Sequence, residues 1–232
     1  MSEPHTKNGR YLHDFVLGFA DGLTVPFALT TGFAGLGSQR IVIIAGVAEL
    51  LSGAISMGLG AYLAALTDRQ VYHNELRREQ KEVEQVPVRE KEEIFDILCS
   101  YGPERDAVKP FVDALCRDKD AWIKFMMDIE LKLEKPLRRH AVWSALVMGV
   151  AYALGGLLPM LPYFAMRDVH KALFISIGIA IFVLLVFGFL KSRLFGGTAT
   201  QALMSAISTL VIGAVAAAVS YGIVQGINSA SW

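Results

Sequence analysis

Cysteine is almost missing from this chain. The two present, Cys99 and Cys116, fall in no CxxC and no zinc-finger spacing, so they read as packed, reduced thiols rather than a disulfide frame or a thiolate metal site. There is no Glu-x-x-His pair of the kind that di-iron carboxylate bundles use, and His73 and His140 each stand alone. No glycine-rich phosphate loop occurs, which excludes ATP as a direct energy source. Net charge is missing too: 22 basic residues balance 22 acidic ones, and the charged stretch from Asp68 to Arg139 is itself slightly acidic, near −2, which argues against nucleic acid as a partner. Above all, charge is scarce over long stretches. Between Asp68 and Arg139 lie 15 of the Lys/Arg and 17 of the Asp/Glu, leaving 7 and 5 for the rest of the chain.

What fills the uncharged stretches is hydrocarbon. The chain is 53% hydrophobic with a mean hydropathy of +0.44. Five apolar segments, roughly 15–37, 41–66, 141–164, 172–190 and 201–227, each approach or exceed the ~20 helical residues that cross a bilayer core of ~30 Å. The expected fold is an all-α membrane protein with five transmembrane helices. Residues 1–67 supply the first two, 68–139 form a cytosolic helical domain, and 140–232 supply the last three. Lys7, Arg10, the charged insert, Lys191 and Arg193 fall on one side, and Arg40, Arg167 and Lys171 on the other. The positive-inside rule then places the N-terminus and the insert in the cytosol and the C-terminus on the luminal side.

From Ala61 to Val86 there is neither glycine nor proline, and Pro87 is the first breaker. The second membrane helix is therefore expected to run on into the insert. Further helices are expected over about 88–100, 104–117 and 119–135, the last with Trp122, Phe125, Met126, Ile129 and Leu133 at helical spacing. The last two membrane segments have no ionisable residue in their apolar cores and carry small residues such as Gly178, Gly213 and the alanines from 214 to 218, a packing pattern.

Two acids stand inside the first two apolar runs, Asp21 and Glu49. A charge near the bilayer centre costs at least ~2.5–3.5 kcal/mol, so it faces a partner, a cavity or a pathway. Pro26 is expected to kink the first helix and free the Gly22 carbonyl beside Asp21, an oxygen pair suited to a hard cation. Asp14, seven residues before Asp21, reads as an ordinary acid near a helix N-terminus. On the second helix Gly46, Glu49, Gly53, Ser56, Met57 and Gly60 share a face. A turn centred near Ser38 sets Met57 level with Asp21 and Glu49 about 12 Å nearer the lumen. A thioether suits Fe²⁺, Mn²⁺, Co²⁺ or Zn²⁺ better than alkaline-earth ions; the other reading of Met57 is simple space filling.

In the insert, Glu75, Glu79 and Glu82 share a helix face. Glu90 and Glu93 form an i, i+3 pair, and Met126 and Glu130 an i, i+4 pair that Glu134 continues. Two readings stand: carboxylates converging on metal, or ordinary solvated surfaces, the latter favoured by neighbours such as Arg78 with Glu82.

The strings DGLTVPFALTTG, AELLSGAISMGLGAYLAA and SALVMGVAYALGGLLPMLPY resemble the vacuolar iron transporter family, plant type, and the resemblance covers nearly the whole chain. It implies a metal path through Asp21, Glu49 and Met57, and cytosolic ligands at Glu79, Glu82, Glu90, Glu93, Met126 and Glu130. It also implies a homodimer in the vacuolar membrane that exchanges Fe²⁺ for protons, with no prosthetic group and no enzymatic activity. Rival readings are a passive divalent-cation channel, a membrane-anchored ferroxidase, which the missing Glu-x-x-His disfavours, and a structural membrane protein with a cytosolic interaction module.

Overall fold

The computed structural model describes residues 9–136 and 138–230. Lys7 lies outside them, and so does the side chain of Arg10. Eight α-helices and one π turn make up the described chain: α1 Gly9–Ala34, α2 Gln39–Gln85, α3 Pro87–Cys99, α4 Arg105–Leu115, α5 Lys119–Phe125, the π turn Met126–Glu130, α6 Arg138–Ala165, α7 Val169–Leu194 and α8 Ala199–Ser229. Strands are absent among the described residues. The local chemistry explains most boundaries. Pro87 opens α3, where its missing N–H costs nothing. Asp118 and Asp168 cap α5 and α7 by accepting backbone N–H bonds. Thr198 and Gln201 form a reciprocal capping box on α8. Gly37 and Gly196, both at positive φ, turn the chain after α1 and α7.

One expected helix differs. The stretch drawn over 119–135 is an α-helix only to Phe125 and a π turn to Glu130, closed by Leu131 N–H on the Met126 carbonyl. The five residues of a π turn bring positions i and i+4 closer to one line than an α-helix does, so Met126 and Glu130 still share a face.

The chain divides into two compact units, Met1–Tyr62 with Val142–Trp232, and Leu63–Ala141. Five helices are long and apolar enough to cross a membrane: α1, α2, α6, α7 and α8. In the first unit, large aliphatic and aromatic side chains point outward; Ile44, Leu51, Ile55 and Leu59 on α2, Phe174 and Phe182 on α7 and Ile212 on α8 are all more than half exposed. A surface of that kind fits a hydrocarbon solvent, not water.

Small residues let these helices approach. Gly18 and Gly22 of α1 lie so close on the backbone of Met148 and Tyr152 in α6 that a methyl group at either glycine would collide with a carbonyl oxygen. On the α2–α6 contact, a Cβ at Gly58 would sit 3.0 Å from the Ala145 carbonyl, and one at Gly149 2.9 Å from that of Ala54. Gly213 of α8 takes the Leu184 side chain of α7, whereas Gly178 faces open space. Polar bonds then fix the α6 end: Gln39 Nε2 donates to the carbonyls of Tyr163 and Met166, and Ser176 Oγ donates to that of Pro159 at 2.6 Å.

The second unit packs Val83, Ile94, Phe95, Val112, Trp122 and Met126 into one core. Ion pairs join α3 to α4 above it. Arg105 grips both oxygens of Glu92 at 2.6 Å and lies 4.1 Å over the Phe95 ring, and Lys91 meets Asp113 at 2.6 Å. Cys99 and Cys116 are free and half-buried.

Candidate metal sites

Glu49 projects from α2 and its Oε1 accepts a hydrogen bond of 3.0 Å from the Tyr152 hydroxyl of α6. Tyr152 is buried, its ring pressed against Gly53 and its backbone against Gly22. Both glycines leave the room this tyrosine needs. Asp21 is half-buried and is the chain neighbour of Gly22, which packs on the Tyr152 backbone. Tyr152 thus bonds one acid directly and packs beside the chain neighbour of the other. Sequence reasoning passed over it because a single tyrosine in an apolar run has no period. The available signal was that a buried phenol needs a hydrogen-bond partner, and Glu49 was one of few on offer.

Thr30 of α1 meets Gly46 of α2, a pairing that centres the turn near Ser38 as expected. By that register Asp21 lies between the levels of Gly53 and Met57, with Glu49 one to two turns further along. Met57 is half-buried.

Pro26 is buried inside an uninterrupted α1. The Gly22 carbonyl that its ring leaves without a donor packs on Gly156 of α6, where a Cβ would lie 2.8 Å from that oxygen. That carbonyl therefore lies against a helix neighbour. Thr30 Oγ1 restores polarity one turn on, donating to the Pro26 carbonyl at 2.8 Å.

In the second unit the acids do converge. One carboxylate oxygen from each of Glu79, Glu82 and Glu90 lies within 4.8 Å of the others. Glu79 and Glu90 are 1% and 3% exposed, and one oxygen each of Glu79 and Glu130 is buried with no hydrogen-bond partner among the described residues. Burial pushes the Glu79 carboxyl up to about 7, helped by Glu130, Glu90 and Glu82 and opposed by Arg78. Glu90 is raised by burial and then by Glu93, Glu82 and Glu130; Glu130 is raised by burial and then by Glu93. Five acids, Glu79, Glu82, Glu90, Glu93 and Glu130, therefore feel one another. Local cations compensate in part: Arg78 meets Glu75 at 3.0 Å, Glu82 at 3.5 Å and Glu79 at 4.0 Å, and Arg89 meets Glu93 at 3.2 Å. Met126, one turn before Glu130, is fully buried in the apolar core. Oxygens at this spacing need only small rotations to close on an ion at ~2.1 Å, and a cation there relieves their repulsion.

The VIT family model matches residues 12–225. The chain belongs to the VIT family. Among relatives, a protein named vacuolar iron transporter from Centaurea cyanus is 44% identical over 98% of this chain and 92% of its own length. Vacuolar iron transporter 1 of Arabidopsis thaliana is 43% identical over 95% of this chain and 87% of its own. Protein CCC1 of Saccharomyces cerevisiae is 36% identical over 93% of this chain and 69% of its own. This VIT family member is thus similar along nearly its whole length to proteins named as transporters.

Proposed function

We propose that the chain carries Fe²⁺ from the cytosol into the vacuole in exchange for protons, as a homodimer in the vacuolar membrane. Its N-terminus and charged insert face the cytosol and its C-terminus the lumen. The observation that carries this reading is the pair Asp21 and Glu49, the latter bonded to Tyr152, inside the apolar stretches of α1 and α2, in a chain with relatives named vacuolar iron transporters.

Each group has a task in this reading. Asp21, Glu49 and Met57 pass the ion along α1 and α2, with Pro26 shaping the turn of α1 between the two acids. Carboxylates coordinate metal only when deprotonated, so metal and proton compete for the same oxygens. Luminal protons displace the ion, and the protonated carrier resets without moving a bare charge through hydrocarbon. Glu79, Glu82, Glu90, Glu93 and Glu130, with Met126, gather metal from the cytosol and raise its local concentration, as clustered charge of one sign does. Mn²⁺, Co²⁺ and Zn²⁺ share the ligand chemistry and are carried as alternatives.

Purified protein in proteoliposomes tests this. An acid interior is expected to drive Fe²⁺ uptake, and metal added outside is expected to send protons out. If collapsing the pH gradient leaves net accumulation unchanged, the exchanger gives way to a passive divalent-cation channel.

A further inference from the structure

Asp14 is an acid for which the exchange scheme has no use, and the structure hides it. It is 7% exposed, and its Oδ2 has no hydrogen-bond partner among the described residues. Ser144 of α6 is 2% exposed, and its Oγ is likewise without a partner. The two orphans belong together. Gly18 lies on the Met148 carbonyl and Gly22 on that of Tyr152, two contacts spaced four residues apart on both helices. Since residues four apart share a helix face, one turn back on each helix brings Asp14 opposite Ser144. Both residues lie within the first unit.

An unpaired buried hydroxyl is costly, and an unpaired buried charge more so. A hydroxyl alone leaves most of a carboxylate's charge unanswered; a cation held between the two answers both. We propose that Asp14 and Ser144 form a further divalent-cation station, built of oxygen alone, one stop before Asp21 on the side where α1 begins. Asp21 is seven residues on along the same face, about 10.5 Å. A carboxylate and a hydroxyl suit a hard divalent ion that keeps part of its water, in contrast to the thioether at Met57. The station therefore receives the ion before its water is stripped. This inference rests on the reading of α1 as an ion path.

The test uses the full-length protein in proteoliposomes with Mn²⁺ and Cd²⁺ as probes. Asp14→Asn is expected to raise the half-saturating Mn²⁺ concentration about tenfold and Ser144→Ala about threefold, with the maximal rate largely kept. Ser144→Cys, nearly isosteric, is expected to raise the Cd²⁺-to-Mn²⁺ rate ratio several-fold because a thiolate prefers the softer ion. A wild-type ratio in Ser144→Cys, with unchanged half-saturation in Asp14→Asn, overturns the station and leaves a water-bridged structural contact. If Asp14→Asn fails to fold, Ser144→Cys decides alone. Asp21→Asn run in parallel separates the two readings. If it too is silent, the ion path falls; if it alone is inactive, only this station does.

Discussion

The two units handle carboxylates in opposite ways. In the apolar unit the acids stand apart, and α6 meets the best-defined of them with a single group: the Tyr152 hydroxyl binds Glu49. In the charged unit five acids crowd together, two of them almost fully buried, with carboxyl groups pushed upward by burial and by one another. Under the proposed function the contrast is one of holding against passing. A crowded, repelling cluster gains most from capturing a cation, and separate acids would each hold an ion briefly, which suits movement from one to the next. On that reading, sites for collection and sites for transit differ in spacing more than in residue type.

The sharpest way to break the transit side is steric. Gly22→Ala drives a methyl group into the Tyr152 backbone, where neither helix has a flexible atom to yield. The expected result is a loss of about 1–3 kcal/mol or more in stability, seen as a fall in thermal midpoint in detergent, together with loss of uptake. A midpoint equal to wild type would mean the two helices do not pack as described.

On the collecting side, replacing Glu79, Glu82 and Glu90 together by Gln is expected to weaken metal binding at least tenfold by calorimetry. Unchanged binding would return these acids to the role of a solvated helix face.

A smaller effect follows from the Glu79 proton. Its carboxyl titrates near 7 in the folded chain against an ordinary 4.5, so the folded state holds the proton more tightly than the unfolded. The stability this confers is full below pH 4.5 and is lost as pH rises through about 7. The metal-free protein is expected to melt a few degrees lower at pH 8 than at pH 5.5. Added Mn²⁺ should restore the difference at pH 8, because metal binds the deprotonated form. An equal melting temperature at both pH values contradicts the burial of this group.

The mildest change is Tyr152→Phe, which keeps the ring against Gly53 and removes only the donor to Glu49. Uptake is expected to fall several-fold with folding intact, the measure of one hydrogen bond to a charged group. No change would make Tyr152 a packing residue alone.

The five apolar spans and the run of α2 down to Pro87 were legible in the sequence because hydrocarbon length and proline act locally. The convergence of Glu79, Glu82 and Glu90 was half legible: helical spacing aligned Glu79 with Glu82, but only tertiary packing brought Glu90 to them. Three features were hidden. The π turn at Met126 inserts a single residue's worth of slack, which no periodicity marks. The Gly22 carbonyl is turned onto Gly156, a contact set by another helix more than a hundred residues away. Asp14 resembles any acid near a helix start until the fold is seen to bury it.

The division between holding and passing meets its most direct test in one measurement: Fe²⁺ uptake rate against metal concentration, in proteoliposomes with an acid interior, for two variants beside the wild type. One replaces Glu79, Glu82, Glu90, Glu93 and Glu130 by Ala; the other is Asp21→Asn. The collecting variant is expected to be slow at low metal and to regain the wild-type rate at saturation. Asp21→Asn is expected to stay inactive at every concentration while eluting and melting as a folded protein. Recovery of Asp21→Asn at saturating metal, or a collecting variant that never recovers, would contradict the division.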